Sequence, residues 1–381
     1  MARKEKIQEL DVIRGLAFLA VVMQHTLGAY IRQPAVQTSE SILLGMLFNI
    51  SKFAVPAFVF VTGIVLFYNY FDSFSYITFI KKRAKEILVP YLLWTCIYEL
   101  YSNGIPVVTM TWIKSFAKNI VLGREYYHLW FVVMIFQFYL VFPILSSIFR
   151  WFYRRITNVR RFVIVFGLLT VLFASYMWFV LNGIIGGQIH STSYIFKFFA
   201  RFIDRNFVSW LYYFLLGGIV GVSINKWREF IIQSINWNSF VFVFCFVWVG
   251  HDLLQGMSAG RVDLNYSTSL KPSMFFYSIS EILIIYGISF VIIRKQSLIY
   301  SLLKWFGDYS YGAYLVHALV LIYAVKLTNY LLPAHAFLWK TFVAAGICSL
   351  AAVFFTYLIS KMSYVSILAG SARKKKIVLV K

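Results

Sequence analysis

The chain has 381 residues, of which 61% are hydrophobic and only 13% are charged, and its mean hydropathy is +0.75. A soluble core of this length does not need so much apolar content, whereas a polytopic membrane protein does. The net charge of +22 does not indicate nucleic-acid binding, because the basic residues form short clusters between apolar runs. The three cysteines show no metal-ligand spacing and no disulfide framework, so we expect neither a metal site nor a cofactor.

The N-terminus is a short basic segment followed by an apolar run. The run is about 20 residues long, which fits a membrane-spanning helix better than a signal-peptide core, so we expect it in the mature protein. It is the first of ten segments of spanning length, which together predict an all-α polytopic bundle. The ten segments are 12–31, 49–70, 87–104, 129–149, 162–182, 207–224, 237–255, 273–293, 309–331 and 339–360.

The distribution of lysine and arginine predicts the orientation of these helices. If the N-terminus is cytoplasmic, two thirds of the 36 Lys and Arg residues lie on the cytoplasmic side, which supports an N-in, C-in topology. No linker is long enough to separate a second domain. We therefore expect a single domain over 1–381, with a motif-bearing core at about 9–361 and a basic cytoplasmic tail at 362–381. In an outer loop, segment 111–121 is predicted either as a surface amphipathic helix or as an ordinary connection.

Two ionisable residues, Arg14 and His25, stand on the first predicted helix. They are eleven positions apart, so they share a helix face with an axial separation of about 16 Å. Asp11 lies on the same side and can pair with Arg14. One interpretation is a polar channel in which Arg14 holds an anion and His25 does proton chemistry at depth. The alternative is that Arg14 is a snorkelling anchor and His25 a packing residue; the spacing alone does not choose between them.

Further stretches follow in chain order, and each contains a short pattern of polar, small or aromatic residues. The stretches are LDVIRGLAFLAVVMQH (10–25), VPAFVFVTGIVLF (55–67) with Thr62 and Gly63, KKRAKEILVPYLLW (81–94), HLWFVVMIFQFYLVFPIL (128–145), and GDYSYGAYLVHALVL (307–321) with Ser310, Tyr311, Gly312, Tyr314 and His317. In this order they resemble the acyltransferase 3 family of bacterial integral-membrane O-acyltransferases, which modify cell-surface glycans. Each motif alone is weak, but the ordered set is specific to the superfamily. It does not specify a substrate.

The resemblance implies a multi-pass protein of the cell membrane with acyl-CoA as its cytoplasmic donor and a cell-surface or lipid-linked glycan as its acceptor. The implied catalytic residues are His25, as general base or as acyl-accepting nucleophile, with Arg14 and His317. The other implied site residues are Arg14, Lys82, Arg83 and Lys85 for the CoA phosphates, and Tyr91, Trp130, Glu99 and Tyr314 for the tunnel or the acceptor. Glu99 and Glu281 are candidates also because carboxylates inside spans are costly.

The sequence departs from the family pattern at three positions. Glu86 stands where many members have a second arginine of the basic loop, and Ile135 and Phe136 stand where many have acidic residues. The rival function is an exporter or flippase of a glycan or its lipid-linked precursor, which ten helices and a polar face would also suit. The absence of visibly matching halves weighs mildly against transport. A sensor or scaffold without catalytic activity is the third possibility.

Overall fold

The computed structural model of the protein describes residues 5–156, 158–189 and 191–372, and within these ranges the chain is almost entirely helical. Fourteen α-helices occur in the described ranges. They are α1 (Glu9–Tyr30), α2 (Thr38–Ile50), α3 (Ala54–Tyr70), α4 (Tyr76–Arg83), α5 (Val89–Asn103), α6 (Met110–Leu122), α7 (Trp130–Arg155), α8 (Val159–Phe179), α9 (Tyr194–Arg201), α10 (Leu211–Val222), α11 (Ile224–Gln255), α12 (Pro272–Lys295), α13 (Leu298–Leu331) and α14 (Phe337–Lys361).

Eight helical stretches of the described chain are long and apolar enough to cross a membrane. They are α1, α2 with α3, α7, α8 continued to Ile185, α11, α12, α13 and α14. The other two predicted spans fall on the shorter helices α5 and α10. The prediction of an all-α multi-pass membrane protein is therefore confirmed, while the N-in, C-in orientation stays a prediction.

Several helix ends differ from the predicted ones. The helices α11 and α13 begin 13 and 11 residues before the apolar runs that we predicted at 237–255 and 309–331. Charged residues lower the hydropathy of these extensions without breaking the helix; in α13, Lys304 and Asp308 form an i,i+4 ion pair of 2.7 Å. We did not predict α2. A turn at residues 51–53 separates it from α3, and the predicted span 49–70 covers α3 but only the last two residues of α2.

Glycines bring two pairs of helices into backbone contact. A Cβ atom on Gly15 of α1 would lie 2.3 Å from the carbonyl oxygen of Leu303, and one on Gly307 of α13 would lie 2.1 Å from that of Asp11. Gly63 and Gly217 similarly join α3 to α10. Small residues at such crossings let membrane helices approach closely. The α1–α13 contact fixes the two helices that carry most of the candidate site.

The central and peripheral helices differ in how much of their surface the protein covers. About half of the residues in the most apolar window of α1 and of α13 are buried (56% in each), against 17% in α8 and in α11. The outward faces of α8 and α11 carry exposed apolar side chains, including Leu172, Trp178 and Phe244. These faces suit contact with lipid, and the polar residues of interest lie on the central helices.

Connections between the helices add smaller elements. The predicted amphipathic segment forms α6, none of whose residues is buried, and the loop after α11 holds a two-residue hairpin of β1 (Met257–Ser258) and β2 (Arg261–Val262). Part of the predicted tail folds back on the bundle: the indole of Trp94 donates to the carbonyl of Leu368 at 3.1 Å. Residues 373–381 of that tail lie outside the described residues.

Candidate active site

A cavity of about 330 Å³ lies between α1, α3, the α4–α5 junction, α7 and α13. Its polar end contains four ionisable side chains, Arg14, Arg83, Glu86 and Asp308. Its remaining wall is mainly apolar or aromatic and is formed by Phe58, Val61, Thr62, Val65, Leu66, Ile87, Phe131, Val132, Ile135, Tyr139, Gly307, Ser310, Tyr311 and Tyr314. The volume holds about ten water molecules, which is enough for a slender chain and too little for a folded sugar polymer.

Arg14 presents a free cation to this cavity. Its guanidinium makes no hydrogen bond or ion pair with any described residue, because Asp11, which we expected to pair with it, forms an ion pair with Lys6 instead. The neighbouring Gly15 holds α1 against α13, so Arg14 comes close to Asp308 at the same cavity wall. An arginine that is accessible and unpaired in a narrow cavity is suited to bind a phosphate or carboxylate group.

Arg83 lies at the other side of the same polar end. It donates to Glu86 at 3.1 Å and its guanidinium lies 5.6 Å from the centre of the Tyr139 ring. The two residues lie at a π-helical turn, Ala84–Leu88, that joins α4 to α5. Such turns are frequent at functional sites because they re-aim side chains within a continuous helix. Lys82 and Lys85 of the same loop are exposed and do not line the cavity.

Three histidines meet beyond the apolar end of the cavity. The rings of His25 and His317 stack with centroids 5.3 Å apart, and the rings of His128 and His317 meet edge to face at 4.8 Å. We name this group the histidine cluster. His25 is partly exposed, whereas His128 and His317 are buried. The structure thus brings together two predicted residues, His25 and His317, with a third that we did not assign to the site.

Backbone carbonyl groups hold the cluster in place. The Nδ1 atom of His317 donates to the carbonyl of Tyr314 at 2.5 Å, which leaves Nε2 as the basic nitrogen of a neutral ring. The hydroxyl of Tyr314 donates to the carbonyl of His128, and the hydroxyl of Tyr98 donates to that of Leu315 at 2.8 Å. The nitrogen Nε2 of His317 and both ring nitrogens of His128 have no hydrogen-bond partner among the described residues. Buried polar atoms of this kind are uncommon and suit a substrate or water.

His128 lies just before α7, and we did not assign it to the site from the sequence. Its exposed fraction is only 2%, so it is buried within the bundle. Burial and the nearby His317 and His25 rings hold the pKa of His128 well below its ordinary value, so its ring is neutral. The only available signal was its position directly before the Leu-Trp of the fourth motif.

Tyr314 separates the cavity from the histidine cluster. Its ring lines the cavity and lies 5.5 Å from that of His317, and the ring of Phe131 packs beside it at 5.5 Å. None of the three histidines is among the described residues that line the cavity. The polar end of the cavity and the reactive imidazoles therefore lie on opposite sides of one aromatic side chain.

Other predicted site residues lie elsewhere. Tyr91 is buried with its hydroxyl donating to the carbonyl of Ile120 at 2.5 Å, and the indole of Trp130 packs 6.2 Å from that of Trp210. Neither residue lines the cavity, and neither does Glu281, which is buried on α12.

Glu99 also lies away from the cavity, near the C-terminal end of α5. It accepts hydrogen bonds from the indole of Trp112 at 2.8 Å and from Asn103 at 2.7 Å, which ties α6 to α5. Glu125, which follows α6, accepts a hydrogen bond from Asn119 at 3.1 Å. Burial and the neighbouring Glu99 carboxyl raise the pKa of Glu125 to about 7. Glu125 lies only three residues before His128 in the sequence.

Comparisons with known proteins find similar sequences over nearly the whole chain. A family model described as an acyltransferase domain matches residues 7–361. A protein of Bacillus subtilis (strain 168) with the assigned name of membrane-bound acyltransferase YfiQ is 23% identical over 97% of this chain and 96% of its own length. A protein of Staphylococcus epidermidis that is named as a poly-beta-1,6-N-acetyl-D-glucosamine export protein is 22% identical over 86% of this chain and 84% of its own length. No solved structure matches the chain significantly.

Proposed function

The chain belongs to the acyltransferase domain family, and on that premise we propose that this multi-pass membrane O-acyltransferase moves an acyl group, most simply acetyl, from cytoplasmic acyl-CoA to a glycan hydroxyl. The acceptor is a cell-surface or lipid-linked glycan, and the enzyme works in the cytoplasmic membrane. One observation carries the proposal: the free guanidinium of Arg14 lies in a narrow cavity that is lined by Tyr314, whose ring contacts the histidine cluster.

The donor fits the cavity by charge and by shape. Arg14 and Arg83 bind phosphate oxygens of CoA, and Arg14 has all its donors available for a bidentate contact. The exposed Lys82 and Lys85 add positive charge at the entrance of the cavity. The thin pantetheine arm runs along the apolar wall toward Phe131 and Tyr314. The thioester reaches His25 when the side chain of Tyr314 moves aside.

His25 acts as the general base in the preferred reaction. Its basic ring nitrogen takes the proton of the acceptor hydroxyl while the oxygen attacks the thioester carbonyl. The tetrahedral intermediate collapses, the carbon–sulfur bond breaks, and the CoA sulfur leaves with the proton held by His25. The His317 ring, which stacks on His25 and is itself packed against His128, keeps the imidazole oriented.

A second route uses His25 as a nucleophile. Its unprotonated ring nitrogen attacks the thioester, the carbon–sulfur bond breaks, and CoA leaves as the thiol with the proton that the other ring nitrogen of His25 gives up, so that a neutral acyl-imidazole forms. The glycan hydroxyl then attacks this acyl group and the carbon–nitrogen bond breaks. The hydroxyl proton passes through Nε2 of the stacked His317 ring to His25, which becomes neutral imidazole again while His317 ends unchanged. Both routes need His25 and an acceptor hydroxyl beside it.

Export is the second candidate function, and one observation favours it. The relatives in Staphylococcus epidermidis are named as export proteins for a polysaccharide. A polysaccharide exporter needs a passage wide enough for a sugar chain, whereas the cavity described here holds about ten waters and ends at Tyr314. Consumption of the donor distinguishes the two functions, since an acyltransferase consumes acyl-CoA and an exporter does not.

The first experiment measures donor turnover. Inside-out vesicles that contain the protein receive acetyl-CoA labelled in the acetyl group, and free acetate and labelled glycan are both counted. We expect His25→Ala to lower transfer by about 10²- to 10⁴-fold, the usual contribution of a general base. His335→Ala changes a histidine that is exposed near the start of α14 and serves as the matched control.

Folding is checked by the thermal stability of all three proteins in detergent. Equal, background-level labelling by wild type and His25→Ala, with acetyl-CoA and with longer acyl-CoA donors, would contradict the acyltransferase proposal and favour export. Loss of activity in His335→Ala would show that the assay does not report on the histidine cluster.

A further inference from the structure

Tyr127 packs on the histidine cluster and does not line the cavity. Its ring contacts the His25 ring with centroids 4.7 Å apart and the planes tilted by 60°. About half of the residue, 49%, is nevertheless exposed. His25 is therefore in contact with a half-exposed tyrosine, while Tyr314 separates the cluster from the cavity.

The segment that carries Tyr127 is held firmly. The neighbouring Tyr126 stacks on Tyr98 at 4.3 Å, and the following His128 accepts a hydrogen bond from the Tyr314 hydroxyl through its carbonyl. The Tyr127 hydroxyl, by contrast, makes no hydrogen bond with any described residue. The rings of Tyr126 and His128 pack against the Tyr127 ring and hold it in position, while about half of the residue stays exposed. A rigid, half-exposed aromatic ring is the arrangement that preorganised binding sites use.

We propose that Tyr127 is the acceptor platform: one face of a pyranose ring of the glycan stacks on Tyr127, and a hydroxyl of that sugar points at His25. This inference rests on the proposed function and adds the subsite and the chemical class of the acceptor. The C–H groups of a pyranose face are slightly positive, and an aromatic face carries negative charge density, so the two attract. A flat platform also tolerates different linkages, because it recognises the ring face rather than a particular hydroxyl.

Residues next to Tyr127 carry polar groups that suit the same ligand. Glu125, two residues before Tyr127, accepts the 3.1 Å hydrogen bond from Asn119. Carboxylate and amide groups pair with sugar hydroxyls through hydrogen bonds. The buried His128 ring packs against Tyr127 with centroids 5.5 Å apart, and both its nitrogens have no hydrogen-bond partner among the described residues.

The test separates binding of the acceptor from chemistry on the donor. Wild type, Tyr127→Phe and Tyr127→Leu are compared as detergent-solubilised proteins, so that both sides of the protein are accessible, with labelled acetyl-CoA and a panel of soluble oligosaccharides of glucose, galactose and β-1,6-linked N-acetylglucosamine. For each protein, the KM for the oligosaccharide, the kcat of transfer and the release of free acetate without sugar are measured. Tyr330→Leu, which alters a highly exposed tyrosine near the end of α13, is the matched control.

We expect Tyr127→Leu to raise the oligosaccharide KM by about three- to tenfold, the range of one aromatic contact, which is a larger change than it makes in acetate release without sugar. We expect Tyr127→Phe and Tyr330→Leu to keep the wild-type KM, because the face and not the hydroxyl is used. An unchanged KM in Tyr127→Leu, an equal loss of transfer and acetate release, or wild-type transfer that no sugar of the panel saturates would each overturn the proposal. A wild type that releases no acetate at all would instead contradict the proposed function.

Discussion

The cavity and the histidine cluster are neighbours along α1, yet they are built from different chemistry. The cavity has two arginines and two carboxylates at its polar end, and one guanidinium there is free. The three imidazole rings of the histidine cluster and the phenol ring of Tyr127 pack with centroids 4.7–5.5 Å apart, with no charged partner among these contacts. Charge is useful for holding a polyanionic donor, whereas neutral rings are useful for moving a proton. Changes in the two regions should therefore affect different kinetic constants.

The largest expected effect comes from Arg14. Arg14→Ala removes the free guanidinium from the cavity and should raise the KM for acetyl-CoA by about 10- to 100-fold, since hydrogen bonds to charged groups are strong. Arg14→Lys should lie between alanine and wild type, because lysine keeps the charge and loses the planar fork. Donor titrations in vesicles measure this. Arg294→Ala, at an exposed position near the end of α12, is the control. A larger effect on the oligosaccharide KM than on the donor KM would break the proposed division between the regions.

The second change acts on the close contact between α1 and α13, the two helices that carry most of the candidate site. In Gly307→Ala the new Cβ atom would lie 2.1 Å from the carbonyl oxygen of Asp11, so α1 and α13 must move apart. We expect a loss of about 1–3 kcal/mol of unfolding free energy, as for other overpacked sites, with lower activity. Gly346→Ala on α14 is the matched control, because nothing lies within 4 Å of its added Cβ. Thermal unfolding in detergent compares the two variants, and equal stability would show that the α1–α13 contact is not tight.

The third change tests how the ion pair between Arg83 and Glu86 affects donor binding in the cavity. Glu86 pairs with Arg83 at 3.1 Å and so reduces the positive charge available to a donor. Glu86→Gln should lower the donor KM by about two- to fivefold, the range of a partly exposed ion pair, and leave acetate release per bound donor unchanged. Glu229→Gln, at an exposed position on α11, supplies the control. A higher donor KM in Glu86→Gln would mean that Glu86 positions Arg83 instead of neutralising it.

The smallest expected effect concerns Glu125, which follows α6. Its folded-state pKa of about 7 exceeds the ordinary value of 4.5, so the protonated form contributes stability below the ordinary value, and that contribution is lost as the pH rises through about 7. The Tm of the wild type should thus fall over this interval, and Glu125→Gln should flatten the change. Glu99 is the titratable group beside it, so Glu99→Gln should flatten the change as well. A wild-type slope that persists in both variants would assign the pH dependence to another group.

The sequence predicted the elements better than the site. The long apolar runs predicted ten spans; eight described helical stretches are long and apolar enough to cross a membrane, and the other two predicted spans fall on the shorter helices α5 and α10. The eleven-residue spacing predicted that Arg14 and His25 share a helix face, and it did not choose between a polar channel and an anchor with a packing residue. Hydropathy missed the ends of α11 and α13, because charged residues lower the hydropathy of these extensions without breaking the helix. The pairing of Asp11 with Lys6 was not predictable either, because it depends on how the N-terminal segment folds back.

The histidine cluster shows a different limit. His25 and His317 are nearly 300 positions apart and were both proposed from motifs, but the contact between their rings depends on the α1–α13 crossing. His128 and Tyr127 belong to a short connection before α7 with no periodic pattern. Their position follows from tertiary hydrogen bonds such as the one from Tyr314 to the His128 carbonyl. Pattern reasoning works within a segment and does not extend to contacts of this kind.

The single tyrosine between the cavity and the cluster would have a consequence for the cell as a whole. Under the proposed function, donor and acceptor reach the protein from opposite compartments, and such a protein risks becoming a leak for ions; each charge that crosses dissipates about 2.3 kcal/mol per 100 mV of membrane potential. The Tyr314 hydroxyl is bound to the His128 carbonyl and the ring packs against Phe131, so that an aromatic side chain separates the cavity from the cluster. In the proposed reaction this barrier preserves the electrical insulation of the membrane between turnovers and yields only to the passage of an acyl group.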